Sequence, residues 1–169
     1  LKEQGKIRHY AISTNDLASL KALNANGGCA SCQMEYSILR RGPEKELLPY
    51  CLENNIGVLL RGPLTKGILA DKFDESTKFE DSVRKGWNEG SEHERFVRDV
   101  QTVAKLRPAL KRGQSMVALA LQFTLAHPAV TCPIPGMKNP DQARSNAAAA
   151  DGKLTPEQKH LIDQVSPSV

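Results

Sequence analysis

The chain has 169 residues, of which 40% are hydrophobic and 25% charged, with a formal net charge of +4. That length implies about one domain, able to bury roughly two-thirds of the surface its unfolded chain exposes. The composition excludes a collagen, a disulfide-stapled miniprotein and a low-complexity disordered chain. No apolar run approaches the ~20 residues of a membrane helix, and the positive charge is mild and dispersed beyond Arg40-Arg41, which argues against a nucleic-acid or membrane partner.

The opening Leu1-Lys2-Glu3-Gln4-Gly5-Lys6 reads as the end of a helix with its glycine stop, and so as an interior stretch of a longer protein or a processed product. Residues 7–13 form a strand candidate with Ile7, Tyr10 and Ile12 as its larger side chains. Asn15 or Asp16 can cap the helix that follows, which runs through Leu17, Leu20 and Leu23 to the Asn26-Gly27-Gly28 break. Residues 30–37 make a second strand. Pro43 suits the first position of a new helix, with Glu44 and Glu46 near its positive end. Leu47, Leu48, Cys51 and Leu52 give that helix an apolar face before Asn54-Asn55.

Residues 56–60 are a continuous apolar run, of the kind that parallel sheets cover on both faces, and Gly62-Pro63 ends it. Residues 71–92 are polar and rich in turn formers, the pattern of a long lid-like loop. Trp87 within it either contacts a ligand as part of the lid or anchors the loop itself. Helices are expected over 92–110 and 115–126, the second capped by Ser115 and ended by His127-Pro128. Residues 129–134 form a fourth strand, and Pro135-Gly136 turns out of it. Residues 141–150 are helical, and Thr155-Pro156-Glu157-Gln158 opens a last helix with a cap and a proline at its first position.

Strands alternating with helices at this spacing predict an α/β fold with a parallel sheet and right-handed crossovers. Four such units are half of a (β/α)8 TIM barrel, or else a small open doubly wound sheet; periodicity does not choose. A half-barrel leaves two sheet edges unpaired and an apolar face uncovered, so it is expected to pair with its missing half or with a second copy.

In either architecture ligands bind at the carboxyl ends of the strands. Those ends are Ser13-Thr14, residues 33–36, Arg61-Gly62-Pro63-Leu64 and Pro135-Gly136-Met137-Lys138. Their hydroxyls, amide, guanidinium, ammonium and backbone N–H groups suit an anionic, hydrogen-bonding ligand, a nucleotide better than a metal, and include no evident acid–base pair. Gly136 lets backbone approach a ligand closely. The helix opening near Pro140 points free N–H groups at an anion, and Lys138 adds charge. Gln142 and Asn146 share a face one turn in, a spacing suited to a phosphate at the helix mouth with an adenine edge beside it. Arg61 carries five donors at the end of an apolar strand and needs an acceptor, from a ligand or a structural ion pair. Cys29 and Cys32 form a C-x-x-C without the strand-then-helix setting of a redox pair or the further ligands of a zinc site. With the isolated Cys51 and Cys132 they read as buried reduced thiols of a cytosolic protein. His9, His93, His127 and His160 read as surface or capping residues.

Taken in order, several segments carry a family likeness: Gly5-Lys6-Ile7-Arg8 with Ile12-Ser13, then Gln33-Met34-Glu35-Tyr36-Ser37, then Glu46-Leu47-Leu48-Pro49-Tyr50-Cys51. The run from Gly57-Val58-Leu59-Leu60-Arg61-Gly62-Pro63-Leu64 to Gly67-Ile68-Leu69 continues it, and Ala118-Leu119-Ala120, His127-Pro128, Ile134-Pro135-Gly136 and Asn139-Pro140-Asp141-Gln142 with Asn146 close it. Across essentially its whole length the chain resembles the C-terminal half of an aldo-keto reductase. The resemblance implies a cytoplasmic (β/α)8-barrel enzyme that reduces small-molecule aldehydes and ketones with NADPH. It also implies that Ser13 and Gln33 hold the nicotinamide carboxamide, and that Arg61 stands where many members stack an aromatic ring on the nicotinamide. Gly62, Pro63, Leu64 and Lys72 would follow the pyrophosphate under the long loop. Gly136 and Lys138 would meet the 2′-phosphate of NADP(H), and Gln142 and Asn146 the adenosine. The chain departs from the family at Thr14, usually Asn or Arg, and at Ser145, commonly acidic. The family's catalytic Asp, Tyr, Lys and His belong to the first half of the barrel, before Leu1, and Tyr10, Tyr36 and Tyr50 do not match the catalytic tyrosine's motif. The expectation is a cofactor-binding half that is inactive alone, the alternative being a non-catalytic half-barrel that binds nucleotide or a partner.

Overall fold

The computed structural model describes residues 1–168. Strands β1 (Tyr10–Ser13), β2 (Cys29–Glu35), β3 (Gly57–Arg61) and β4 (Val130–Pro133) form one parallel sheet in the order β1-β2-β3-β4. That order decides between the two architectures. A doubly wound sheet reverses direction at a switch point, whereas here each strand adds beside the last, as along the arc of a barrel. The helices are α1 (Leu17–Leu23), α2 (Leu47–Glu53), α3 (Gly90–Leu106), α4 (Met116–Leu125), α5 (Pro140–Ala148) and α6 (Pro156–Val165).

The expected caps form, each contributing about 1 kcal/mol. Asp16 accepts from the Ser19 N–H at 2.8 Å, Ser115 from the Ala118 N–H at 3.1 Å, and Thr155 and Gln158 make a full capping box. Gly5 takes φ +68°, with its N–H bonded to the Lys2 carbonyl and the Lys6 N–H to the Leu1 carbonyl. This is the paired 5→2 and 6→1 geometry of a glycine-terminated helix end. The first strand therefore begins at Tyr10 rather than at residue 7, and Ile7 is exposed. Pro43 does not open α2. It sits in a separate 3-10 turn, Gly42–Glu44, because Arg41 and Tyr36 both bind the Glu44 carboxylate and hold that turn apart. Leu47, Leu48 and Cys51 are buried as expected, while Leu52 is exposed.

The core lies between the sheet and its helices. Cys32, Met34, Val58 and Leu60 alternate along β2 and β3 with no exposure at all, packed with Leu20, Leu48 and Leu119. The other face of the sheet is open. Ala11, Ser13 and Cys132 are exposed on it, and Gln33 and Leu59 are only part-buried, so the 56–60 run is covered on one face rather than two. This uncovered face is also less apolar than expected, with small and polar side chains around Leu59. Cys132 is exposed because it lies on that face of an edge strand, against the expectation of burial. Cys51 is buried in the same core as Cys32, and that neighbouring thiol together with burial raises the Cys51 pKa.

The 71–92 segment is more ordered than a polar loop. A 3-10 turn at Lys85–Asn88 leads into α3, which starts at Gly90. Trp87 stacks on Phe96 of α3 with centroids 5.7 Å apart. Phe79 meets both rings edge-on, and Asn88 exchanges two hydrogen bonds with the Phe79 backbone. Trp87 is thus the loop's own anchor.

Candidate functional site

The carboxyl ends of the strands present two rows of side chains fixed by register. In the first row Ser13 lies opposite Gln33, Gln33 opposite Leu59, and Leu59 opposite Cys132. Ser13 Oγ and Gln33 Oε1 are 3.5 Å apart. In the second row Glu35 lies opposite Arg61, with Arg61 Nη1 at 3.5 Å from Glu35 Oε2. Asn15 laces this row together. Its Nδ2 donates to the Glu35 carbonyl at 3.0 Å, and its Oδ1 accepts from the Glu35 N–H at 3.0 Å and from Arg61 Nη2 at 3.1 Å. The amide thus continues the β1 ladder by one step beyond the strand.

Asn15 and Glu35 are the residues that the sequence reading missed. Asn15 was a candidate cap, but Asp16 takes that task. Glu35 had a readable signal: it stands two positions after Gln33, and side chains two apart along a strand share a face. Arg61 finds a structural partner in Glu35, yet its side chain stays 48% exposed. The pair therefore leaves part of the guanidinium open to a ligand.

Beyond β3 the backbone is unusual. Gly62 takes φ +65° and Thr65 bonds back to its carbonyl at 2.9 Å. Thr65, Lys66 and Gly67 follow with φ of +46°, +51° and +97°. A β-branched residue in the left-handed region is a genuine outlier. Burial of Thr65 and its 3.0 Å hydrogen bond to Ser37 hold it there. Stored strain of this kind concentrates at ligand sites. Pro63 is buried and Leu64 part-buried beneath this turn. Lys72 is exposed, its ammonium over the Phe73 ring. A cavity of about 200 Å³ opens beside Arg61, walled by Lys66, Trp87, Arg95 and the Arg40–Asp99 ion pair.

The end of β4 forms a second cluster on the neighbouring strand. Gly136 has open space where a side chain would project. Asn139 caps α5 by accepting from the Gln142 N–H at 2.9 Å. The Lys138 N–H donates to Gln142 Oε1 at 2.7 Å, so the Gln142 carbonyl shapes this turn. The Lys138 side chain is exposed. Asn146 Nδ2 is buried with no hydrogen-bond partner, alone in this among the side chains of the described residues. Leaving such a group unpaired costs roughly 1–3 kcal/mol, and native structures keep one where something else supplies the acceptor. The orphaned amide, about two turns into this capped helix, and the open Gly136 and exposed Lys138 that lead into the same helix are the groups here that could hold the adenosine end of a dinucleotide.

Tyr36 is buried and donates to Glu44 at 2.7 Å; burial and that carboxylate push its pKa far above the ordinary phenol range. His127 is part-buried, not on the surface, and its pKa is lowered by burial. Its Nδ1 accepts from the Ala129 N–H, a capping role. No helix is long and apolar enough to cross a membrane among the described residues.

The aldo/keto reductase family model matches residues 1–167. The chain is 31% identical over 160 residues to the "Uncharacterized oxidoreductase YqkF" of Bacillus subtilis, a match covering 94% of this chain and 50% of that protein. Among solved structures, the holo form of an aldo-keto reductase from Bacillus halodurans matches all of this chain and 54% of its own, at 29% identity and a TM-score of 0.76. An aldo-keto reductase from Klebsiella pneumoniae, solved in complex with NADPH, matches all of this chain and 51% of its own, at 26% identity and a TM-score of 0.71. The chain spans about half the length of the curated relatives it matches. Its sequential parallel strands are accordingly part of a (β/α)8 barrel, and the chain belongs to the aldo/keto reductase family.

Proposed function

We propose that this chain is the C-terminal, NADP(H)-binding half of a cytoplasmic aldo-keto reductase that reduces aldehydes and ketones, and that it is inactive alone. The unpartnered Asn146 Nδ2, on the helix into which Gly136 and Lys138 lead, carries the reading. NADPH, when bound, supplies the hydride. Ser13 and Gln33 hold the carboxamide, and Arg61 lies against the nicotinamide. The turn through Gly62, Pro63 and Leu64, with Lys72, follows the pyrophosphate, and the 71–92 segment covers it as a lid. Gly136 and Lys138 meet the 2′-phosphate, while Gln142 and Asn146 take the adenosine.

Reduction of a carbonyl also needs a proton at the oxygen. Tyr36 gives its hydroxyl proton to Glu44, and Tyr50, which accepts from Asn24 at the C-terminal end of α1, lies away from the carboxyl ends of the strands, so neither supplies it. The donor then comes from outside these residues, from the missing half, which also covers the open face of the sheet; a second copy is the other candidate for that cover.

Calorimetric titration of the chain with NADPH and NADH tests this. NADPH binds more tightly, and Lys138→Ala weakens NADPH about tenfold while leaving NADH nearly unchanged, the loss of one charge-assisted contact. No binding of either nucleotide refutes the cofactor reading. Turnover of a model aldehyde by the chain alone refutes its inactivity.

A further inference from the structure

We propose that Glu35 is a positioning and charge-balancing residue for Arg61, one that lets the site hold the oxidised nicotinamide as readily as the reduced one. This rests on the reading that Arg61 lies against the nicotinamide. The oxidised ring carries a positive charge and the reduced ring is neutral. A guanidinium beside the ring, left uncompensated, would repel only the oxidised form.

The sheet supplies the compensation by register. Glu35 is the β2 residue directly opposite Arg61, and its carboxylate lies 3.5 Å from the guanidinium. Asn15 fixes the arrangement from both sides, since it bonds the Glu35 backbone twice and Arg61 Nη2 once. Gly62, at φ +65°, adds no side chain between them, and Glu35 Oε1 lies 3.5 Å from where one would begin. Gly62, the residue after β3, therefore leaves the carboxylate undisturbed. Of the other cations lining the cavity, Arg40 pairs with Asp99 and Lys66 lies over Trp87, while Arg95 makes no ion pair with Glu35; Arg61 is the cation within ion-pair distance of that carboxylate among the described residues.

The decisive quantity is the ratio of the two affinities, Kd for NADP⁺ over Kd for NADPH, measured by titration of the chain. Glu35→Gln keeps the shape and removes the charge, and the ratio rises about fivefold, a screened charge–charge interaction at a half-exposed site. Glu35→Asp keeps the charge and returns the ratio toward the parent value. In the Glu35→Gln background a second change, Arg61→Gln, lowers the ratio again, because the uncompensated guanidinium is gone. If the parent chain binds neither nucleotide, the cofactor reading falls and this inference with it. If it binds both and Glu35→Gln shifts both constants in parallel, or neither, the inference alone is overturned.

Discussion

Two arginines leave neighbouring ends of the sheet and meet opposite fates. Arg41 lies just past β2 and is 6% exposed. It donates to Glu44 at 2.8 Å, to Asp163 of α6 at 2.8 Å and to the Ser166 carbonyl at 2.6 Å. Its charge is closed in, and it ties the last helix to the sheet. Arg61 ends β3 with 48% of its side chain exposed, and its contacts are longer, 3.1 Å to Asn15 and 3.5 Å to Glu35. What separates the two is how completely the protein has already satisfied each guanidinium. A buried charge with one partner missing is costly, so the first site tolerates little change. The second retains unused donors, the property on which its proposed contact with a nucleotide rests.

The contrast can be broken first at Arg41. Arg41→Met should destabilise the chain by about 3–5 kcal/mol in urea unfolding, because the part-buried Glu44 and Asp163 lose their shared cation. NADPH affinity per folded molecule should not change. A stability loss under 1 kcal/mol would remove the distinction between the two arginines.

The same network should appear in the pH dependence of stability. Burial alone would raise the Glu44 pKa, but the hydrogen bonds from Arg41 and Tyr36 outweigh it and hold the carboxyl below its ordinary value. A depressed carboxylate stabilises the fold above its unfolded pKa, ordinarily near 4.5, and that contribution fades as pH falls through the lower folded value. Glu44→Gln should therefore cost about 1–3 kcal/mol at pH 7, and the gap to the parent should narrow toward pH 3. A constant gap across that range would show that the carboxylate's charge plays no part.

Asn146 sharpens the other side of the comparison. Removing a buried amide that has no partner should leave stability unchanged or raise it by up to about 1 kcal/mol. The same Asn146→Ala change should weaken NADPH binding about tenfold, one lost hydrogen bond in a closed site. A fall in both stability and affinity would show that the amide serves the fold instead.

Much of the fold is written in local chemistry. Asp16, Ser115 and Thr155 announce helix starts, and Gly62-Pro63 marks the end of β3, because capping and turn formation depend on a few adjacent residues. The sheet order and the open face do not show locally. Residues 56–60 look the same whether one face is covered or two, and only the neighbouring strands decide. The aromatic packing that pins residues 71–92 is hidden for a similar reason. Phe73, Phe79 and Trp87 are scattered among charges, and their common partner Phe96 lies in the next helix. At the site, Ser13, Gln33 and Arg61 could be placed at strand ends from the pattern alone. Asn15 could not, since its role depends on β2 running beside β1 in one particular register. The orphaned Nδ2 of Asn146 is likewise a property of three-dimensional surroundings.

The unbroken order of the strands has one more consequence. All of them run the same way, so β1 and β4 offer free edges of matching polarity at the two ends of the arc. A hairpin laid against either edge would place one strand antiparallel to the rest, and parallel neighbours need a crossover of a dozen or more residues. The arc therefore accepts extension only in whole strand–helix modules. A chimaera built by exchanging such a block from a cousin enzyme would keep the polar rows at these strand ends intact, while everything facing them across the interior became new.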